Sequence, residues 1–444
     1  MAERPKRRNK FESWGRYPNL QSEVVPLHWT SDFPLRRGIN KQLPVGFGHS
    51  YGDVCLLGNG TLLQTTGMDR LLHFNPESGV LKCEAGISLA CILDFAVEKG
   101  FFLPVTPGTK YVTVGGAIAN DIHGKNHHVA GTFGRHVRRF ELVRSDGKRI
   151  LCSPEENEAW FSASVGGMGL TGLITWAEIQ LRPICSRRIC YRANKFHGIQ
   201  EFLELSARSN CEYTVAWIDC ISTGRNFARG IFIQGDHAAE SGPLTRSREP
   251  KLRFPFDLPE FALNRFSIGL FNSLYYHKQL KEQKAGQVDF EPFFYPLDAV
   301  LDWNRMYGKA GLLQFQCVLP SEDREAGILE ILRNIAASGL ASFLAVLKVF
   351  GSAPSPGMIS FPLSGITLAL DFPIRHGLSF KLLDRLAEIT LEHGGRMYSA
   401  KDARMTADQF QVSYPQWQHF ASYVDPALDS GFWQRVTGRR PIDG

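Results

Sequence analysis

Residues 107–128 read PGTKYVTVGGAIANDIHGKNHH. Glycine stands at 108, 115, 116 and 124, and the polar residues Asn120, Asp121 and His123 lie between the last two. A glycine backbone can approach a bulky ligand closely because no Cβ intervenes. Two other stretches share this character. GFGHSYGD (46–53) sets Gly46, Gly48 and Gly52 around His49, and VGGMGLTGLIT (165–175) adds Gly166, Gly167, Gly169 and Gly172. The dinucleotide fingerprint GxGxxG runs from a strand into a helix. In 46–53 the third glycine comes one residue too late, and VCLLGNGTLLQTT after it reads as a turn and a strand, so a Rossmann site is not expected. Three glycine loops between short strands suit a long, bent ligand with a pyrophosphate held by main-chain N–H groups.

Working outward, short strands are expected at 42–46, 61–66, 71–74, 80–84, 138–144 and 172–182, closed by Gly, Asn or Asp turns. SLACILDFAVEKGFFLP (88–104) has apolar residues at helical spacing and a glycine after Lys99 to end the helix. Composition changes after Pro183. Strands are then expected in YTVAWIDCI, LLQFQCVLP and ITLALDFP, and helices in REAGILEILRNIAASG and KLLDRLAEITLEHGG. Residues 236–290, rich in charge, Pro and Phe, read as an irregular segment: a lid, a binding segment or disorder. The last 50 residues have helical character and aromatic anchors.

A chain of 444 residues exceeds one hydrophobic core, so two domains are expected. Hydrophobic residues at 43% and charged residues at 21% describe a globular protein, and a net charge of +6 gives no reason to expect nucleic acid as a partner. Arg4, Lys6, Arg7, Arg8 and Lys10 form a basic leader with no apolar run behind it, unlike a secretory signal. With no span-length apolar stretch, a cytoplasmic location is expected, with peripheral contact at the inner face of the membrane open. Nine cysteines without CxxC spacing argue against zinc and against a disulfide framework. His123 and His127 make a His-x3-His pair, but Gly124 and Asn126 disfavour a helix there and no Cys or carboxylate completes a set, so no metal is expected.

The spacing of GFGHSYGD, TPGTKYVTVGGAIANDIHGKNHHVAGTFG and GGMGLTGLI resembles flavoenzymes of the vanillyl-alcohol-oxidase type, in particular a branch acting on lipid-linked ribose. AWIDCIS, PLDAVLDWNRMYGKAGLLQFQCVLP, LKVFG, DFPIRHGLSFKLLDRL and GGRMYSAKDARMT extend the likeness over nearly the whole chain. It implies an α+β fold, in which a flavin domain of 1–184 plus 396–444 carries an inserted antiparallel-sheet substrate domain, 185–395; the irregular composition of 236–290 makes that segment the expected mobile part. It implies FAD, a lipid-linked or small sugar substrate, and oxidation of the 2'-hydroxyl of a polyprenylphosphoryl-β-D-ribose to a 2'-keto sugar. A separate NAD(P)H-dependent short-chain reductase would complete an epimerisation to the arabinose form. A soluble alditol or aldonolactone oxidase using oxygen is the rival reading, and an inert flavin-binding protein a second.

The resemblance places the cofactor against Gly46, Phe47, Gly48, His49, Ser50, Tyr51 and Gly52. It adds Gly108, Thr113, Val114, Gly115, Gly116, Asn120, Asp121, Ile122, His123, Gly124 and Asn126 from the second segment, and Gly169, Gly172, Ile174 and Tyr398 beyond it. Oxidising a secondary alcohol with a flavin needs hydride transfer and a base for the hydroxyl proton. His123, Lys401 and Tyr51 are the catalytic candidates; Lys401 reads as a base with a lowered pKa or as a cation beside the flavin. Lys348, which interrupts the apolar FLAVLKVFG, is implied near the phosphate. Gln314 and Gln316 alternate onto one strand face, the implied pocket wall, with Trp217, Phe294 and Ala369. Tyr51 and Trp217 read equally as core. Members of that branch carry a cysteine where this chain has Ala369, an asparagine at Thr367, and a Tyr-His pair at Phe294-Tyr295. Their non-covalent flavin loop also lacks the histidine, whereas GFGHS has the form that bonds the flavin 8α-methyl in alditol and aldonolactone oxidases. His49 thus reads as a covalent anchor or as a hydrogen-bonding neighbour.

Overall fold

The computed structural model describes residues 11–32, 40–240, 242, 244, 252–375 and 377–440. The basic leader and Arg246, Arg248 and Lys251 lie outside the described residues. Two antiparallel sheets dominate, which bears out the α+β class at the level of mixed helices and antiparallel strands. The smaller, five-stranded sheet runs Leu71–Asn75, Val80–Glu84, Leu173–Gln180, Val137–Val143, Arg149–Cys152. Its central strand LITWAEIQ buries every second residue toward its end, as a half-covered strand should. Beside it, Glu23–Pro26, Thr61–Gln64 and Gln42–Val45 form a three-stranded parallel sheet. The helix Leu89–Ala96 begins at Ser88, whose hydroxyl accepts from the Cys91 N–H (3.1 Å). It ends through one 3-10 turn at Gly100, whose φ of 78° few side chains tolerate.

The larger, eight-stranded sheet runs Gln283–Asp289, Arg188–His197, Arg229–His237, Tyr213–Ile218, Ala345–Phe350, Gly365–Pro373, Leu312–Pro320, Arg396–Met397. The helices Arg324–Ser338 and Leu378–Glu392 share a core with Phe315, Cys317, Leu347, Leu368 and Leu370, residues of one sheet face. Each such side chain, fully buried, contributes about 1.5–3 kcal/mol. Because side chains alternate, Gln314, Gln316, Lys348, Thr367, Ala369 and Asp371 are turned to the other face. Arg396–Met397 pairs with Val318 and Cys317, so the last part of the chain first closes the edge of the larger sheet.

The described residues between 252 and 290 are not irregular. Leu252–Arg253 pairs in parallel with Val300–Leu301, Arg265–Lys278 is a helix, and Gln283–Asp289 is the edge strand of the larger sheet. The helix starts on a capping box in which the Asn264 side chain accepts from the Ser267 N–H and the Ser267 hydroxyl accepts from the Asn264 N–H. Its sequence, RFSIGLFNSLYYHK, is apolar on two sides, which hides the single-sided period that marks a helix.

Candidate active site

Strand register builds the site wall. Gln316 lies opposite Ala369, Ala369 opposite Val346, and Val346 opposite Trp217, so one row crosses four strands on one face. Lys348–Thr367–Val318 and Asp371–Gln314 are the neighbouring rows. The Gln316 amide nitrogen donates to His123 Nε2 (3.0 Å) and to the Thr367 hydroxyl (3.1 Å). With its Nε2 accepting, His123 carries its proton on Nδ1, which is buried and has no protein partner. The Gln314 amide donates to Asp371 Oδ1, while Asp371 Oδ2 is buried and unpartnered.

Lys401 arrives from a separate element, the 3-10 turn Ser399–Lys401. The Tyr51 N–H donates to the Ala400 carbonyl (3.0 Å), and the Tyr398 hydroxyl donates to the Asn120 carbonyl (2.8 Å). These bonds tie the turn to two glycine segments. Arg435 clamps the same junction, reaching Asp53 Oδ1 (2.7 Å) and Asp402 Oδ2 (3.0 Å) in full burial. The Lys401 ammonium lies 4.0 Å from the centre of the Tyr51 ring. Lys348 and Lys401 sit deep in the protein yet keep some accessible surface, which marks side chains facing an internal cleft.

Burial governs the charges here. It lowers Lys348 to about 7, helped by repulsion from Lys125 and Lys401, and lowers Lys125 to about 8. Lys401 is pulled down by burial and partly restored by Asp371, whose own carboxyl burial pushes up. His123 lies well below its ordinary value through burial and the nearby Lys348, and is neutral. Burial likewise takes His127 to about 3. Among the described residues no carboxylate pairs with Lys348. The cleft therefore holds more cationic side chains than anionic ones, a setting that favours an anionic guest.

Asp371 and Lys125 went unnoticed in the sequence. Thr367, Ala369 and Asp371 alternate along ITLALDFP as Gln314 and Gln316 do along LLQFQCV, so the same two-residue period reveals Asp371. Trp217 stands on the site face, 7% exposed, with its indole N–H donating to the Phe343 carbonyl (3.1 Å). The Phe294 ring instead belongs to the core of the smaller sheet, 4.7 Å from Tyr213 and 5.2 Å from Phe102. A pocket role for that ring is corrected, because the aromatic cluster around it takes up its surface. Its carbonyl accepts from Lys125 (3.2 Å).

The glycine loops form a cradle beside this wall. Gly46, Phe47, His49, Ser50, Gly115, Gly116 and Asn120 are half-buried. A Cβ on Gly46 would lie 2.6 Å from the Thr113 hydroxyl, and one on Gly52 would lie 1.9 Å from the Asp402 carbonyl oxygen. One on Gly124 would meet the Thr106 carbonyl at 2.8 Å, and one on Gly172 the Val143 carbonyl at 2.7 Å. Gly48 and Gly169 have φ of 71° and 76°. A Cβ on Gly108 would meet nothing, so no packing demand explains that glycine. Thr113 caps the helix Val114–Ala119, accepting from the Gly116 N–H (3.0 Å). Asp121, with φ of 37°, is engaged by the Gly134 N–H (2.9 Å) and the Ser360 hydroxyl (2.6 Å), and Asn126 donates to the Pro104 carbonyl (2.8 Å). Both act on the loop's shape. Ile122 and Ile174 are buried apolar side chains at its base. His49 stacks on Trp14, ring centres 4.7 Å apart and planes within 15°, a contact with no signal in the sequence. Side-chain-free backbone and an unpartnered Asn120 Oδ1 along one cleft fit a large planar cofactor with a pyrophosphate.

Residues 39–153 match the family described as an FAD binding domain. The chain is 36% identical over 396 residues to decaprenylphosphoryl-beta-D-ribose oxidase of Mycolicibacterium smegmatis, covering 86% of this chain and 85% of that protein. It is 30% identical to an uncharacterised protein of Streptomyces coelicolor over 77% of this chain and 96% of the other. A probable L-gulonolactone oxidase of Arabidopsis thaliana is 27% identical over 39% of this chain and 31% of its own length.

Proposed function

Because the chain belongs to the vanillyl-alcohol-oxidase-type FAD oxidoreductases, in the family of decaprenylphosphoryl-β-D-ribose oxidase, we propose that it oxidises the 2'-hydroxyl of a polyprenylphosphoryl-β-D-ribose to the 2'-keto sugar. It is an FAD-dependent oxidoreductase acting on a CH–OH group of a sugar. One observation carries the assignment of roles: a lysine of lowered basicity, a neutral imidazole with a free N–H and an unpaired lysine share one buried face.

FAD, when bound, supplies the hydride acceptor. Lys401 Nζ takes the hydroxyl proton, since burial favours its neutral amine and Asp371 beside it stabilises the ammonium that forms. Tyr51 holds that ammonium through its ring face. His123 Nδ1–H donates to a sugar oxygen. Lys348 and Lys125 receive the phosphate, whose charge relieves their mutual repulsion. Gln314, Gln316, Trp217 and Ala369 bound the sugar, and the glycine loops hold the cofactor. Residues 1–184 with 396–444 serve as the flavin domain and 185–395 as the substrate domain. A keto sugar needs a second hydride donor to become the arabinose epimer, and a separate NAD(P)H-dependent short-chain reductase fills that part.

The test is anaerobic mixing of the FAD-loaded protein with polyprenylphosphoryl ribose, xylitol or gulonolactone. Bleaching of the flavin by the lipid-linked ribose alone is expected; bleaching only by the small polyols would give the protein to the lactone oxidase reading. His49 carries a second question. The GFGHS form and the Trp14 stack, which fixes the imidazole plane, support a covalent bond to the flavin. The likeness to the lipid-linked ribose branch supports non-covalent binding. Acid precipitation separates them: a yellow pellet with added mass on the chain means a covalent anchor, and a colourless pellet means none.

A further inference from the structure

The helix Arg265–Lys278 has an inner side and an outer side. Inward, Ile268, Asn272 and Tyr276 are buried, and the Tyr275 ring lies 4.8 Å from Trp217 on the site face of the larger sheet. Outward, Phe266, Leu270 and Leu274 follow at i, i+4 and i+8 and are 82%, 54% and 63% exposed. Phe271, Phe261 and Leu280 extend this exposed apolar surface. Single exposed apolar residues are ordinary, but a stripe of them held in place by a capping box is not.

The charge around the stripe is basic. Between 246 and 284 the sequence holds eight Arg or Lys residues against four Asp or Glu. Among the described residues, Arg265, Lys278, Lys281 and Lys284 are exposed against exposed Glu260 and Glu282, while Asp257 is already engaged by Arg16 (2.8 Å) and Arg305 (3.4 Å). No helix among the described residues is long and apolar enough to cross a membrane. At 14 residues this one spans about 21 Å, so it would lie along an interface rather than through it.

We propose that the outer face of Arg265–Lys278 seats in the headgroup–acyl boundary of an anionic lipid bilayer, placing the membrane surface beside the sheet face that carries Trp217. The proposal rests on the lipid-linked substrate of the preceding subsection, whose polyprenyl chain is held in a bilayer with its phosphoryl sugar at the surface. Exposed apolar side chains on a helix with an exposed Arg or Lys at each end match such a surface, and each Lys or Arg near it strengthens binding roughly fivefold. A protein partner would need an apolar patch ringed by acidic residues.

Flotation of the FAD-loaded full chain with vesicles tests it. The protein is expected to float with vesicles of phosphatidylcholine and phosphatidylglycerol, to float poorly with phosphatidylcholine alone, and to be released by salt. Two triple variants, Phe266→Ser with Leu270→Ser and Leu274→Ser, and Lys278→Glu with Lys281→Glu and Lys284→Glu, should each lower the bound fraction at least tenfold. Flavin content, melting temperature and flavin reduction by a short-chain, water-soluble phosphoryl ribose should stay at wild-type levels, while turnover of vesicle-embedded substrate falls. Wild-type protein that ignores anionic vesicles, variants that float like wild type, or a stripe that binds a purified protein and no vesicle would overturn the proposal. Normal flotation without flavin reduction by any phosphoryl ribose would sink the proposed function and leave the membrane surface standing.

Discussion

The glycine cradle and the polar sheet wall face the same cleft, yet they are built in opposite ways. The cradle is backbone with the side chains removed, and at Gly46, Gly52, Gly124 and Gly172 a single added carbon collides with a neighbour. The wall is long polar side chains, among them Lys348 and Asp371, met by Lys401 from the Ser399–Lys401 turn, in a place where burial opposes their charge. One region is therefore sensitive to volume and the other to charge. The difference teaches where stability and rate separate: filling the cradle should unfold it or empty it of flavin, whereas neutralising the wall should slow the chemistry without loosening the fold.

The sharpest way to break this contrast is Lys401→Ala. Flavin reduction by substrate should slow about 100- to 10,000-fold in stopped-flow, with flavin retained and the melting temperature not lowered. A variant that instead melts early would make Lys401 a structural residue. Gly52→Val reverses the pattern. Its Cβ meets the Asp402 carbonyl and should cost about 3 kcal/mol in denaturant unfolding, with loss of bound flavin. Wild-type stability in that variant would mean that the loop moves freely away from the Ser399–Lys401 turn.

Lys348→Met should stabilise the protein by about 2 kcal/mol near pH 7 while raising the KM for lipid-linked ribose about tenfold. Its folded-state pKa is depressed to about 7, so between pH 7 and 10 the unfolded chain binds the extra proton. Wild-type stability thus gains a rising term over that window, and the variant should lose it. Below pH 7 both states hold the proton and the term is flat. Equal pH slopes in urea titrations of the two proteins would remove Lys348 from the buried charges. Ser88→Ala supplies the smallest effect, about 1 kcal/mol, because it removes one cap from the helix Leu89–Ala96. That helix belongs to neither region, so flavin reduction should not change; a slowed rate would blur the separation of volume from charge.

Much of this was readable in the chain. Leu173–Gln180 of the five-stranded sheet and the two long helices over the larger one announce themselves by period, because each has one buried side, whereas the short strand Arg149–Cys152 was not expected. The helix Arg265–Lys278 does not, since both of its sides are apolar and only the folded chain reveals which is covered. Phe294 was misplaced for a related reason: its neighbours in sequence say nothing of the aromatic cluster that takes up its ring.

By itself, the sequence determined the period of each strand and helix, the glycines that leave room for a cofactor, and which residues of LLQFQCV share a side. Those are local properties, set by backbone geometry within a few residues. Only the tertiary structure decided that Gln316 meets His123, that Lys401 faces Asp371, and that His49 stacks on Trp14. These pairs join residues far apart in the chain, and their contact depends on register and packing across several elements. Their shifted protonation follows from that packing, because burial and the distance between charges exist only once the chain is folded.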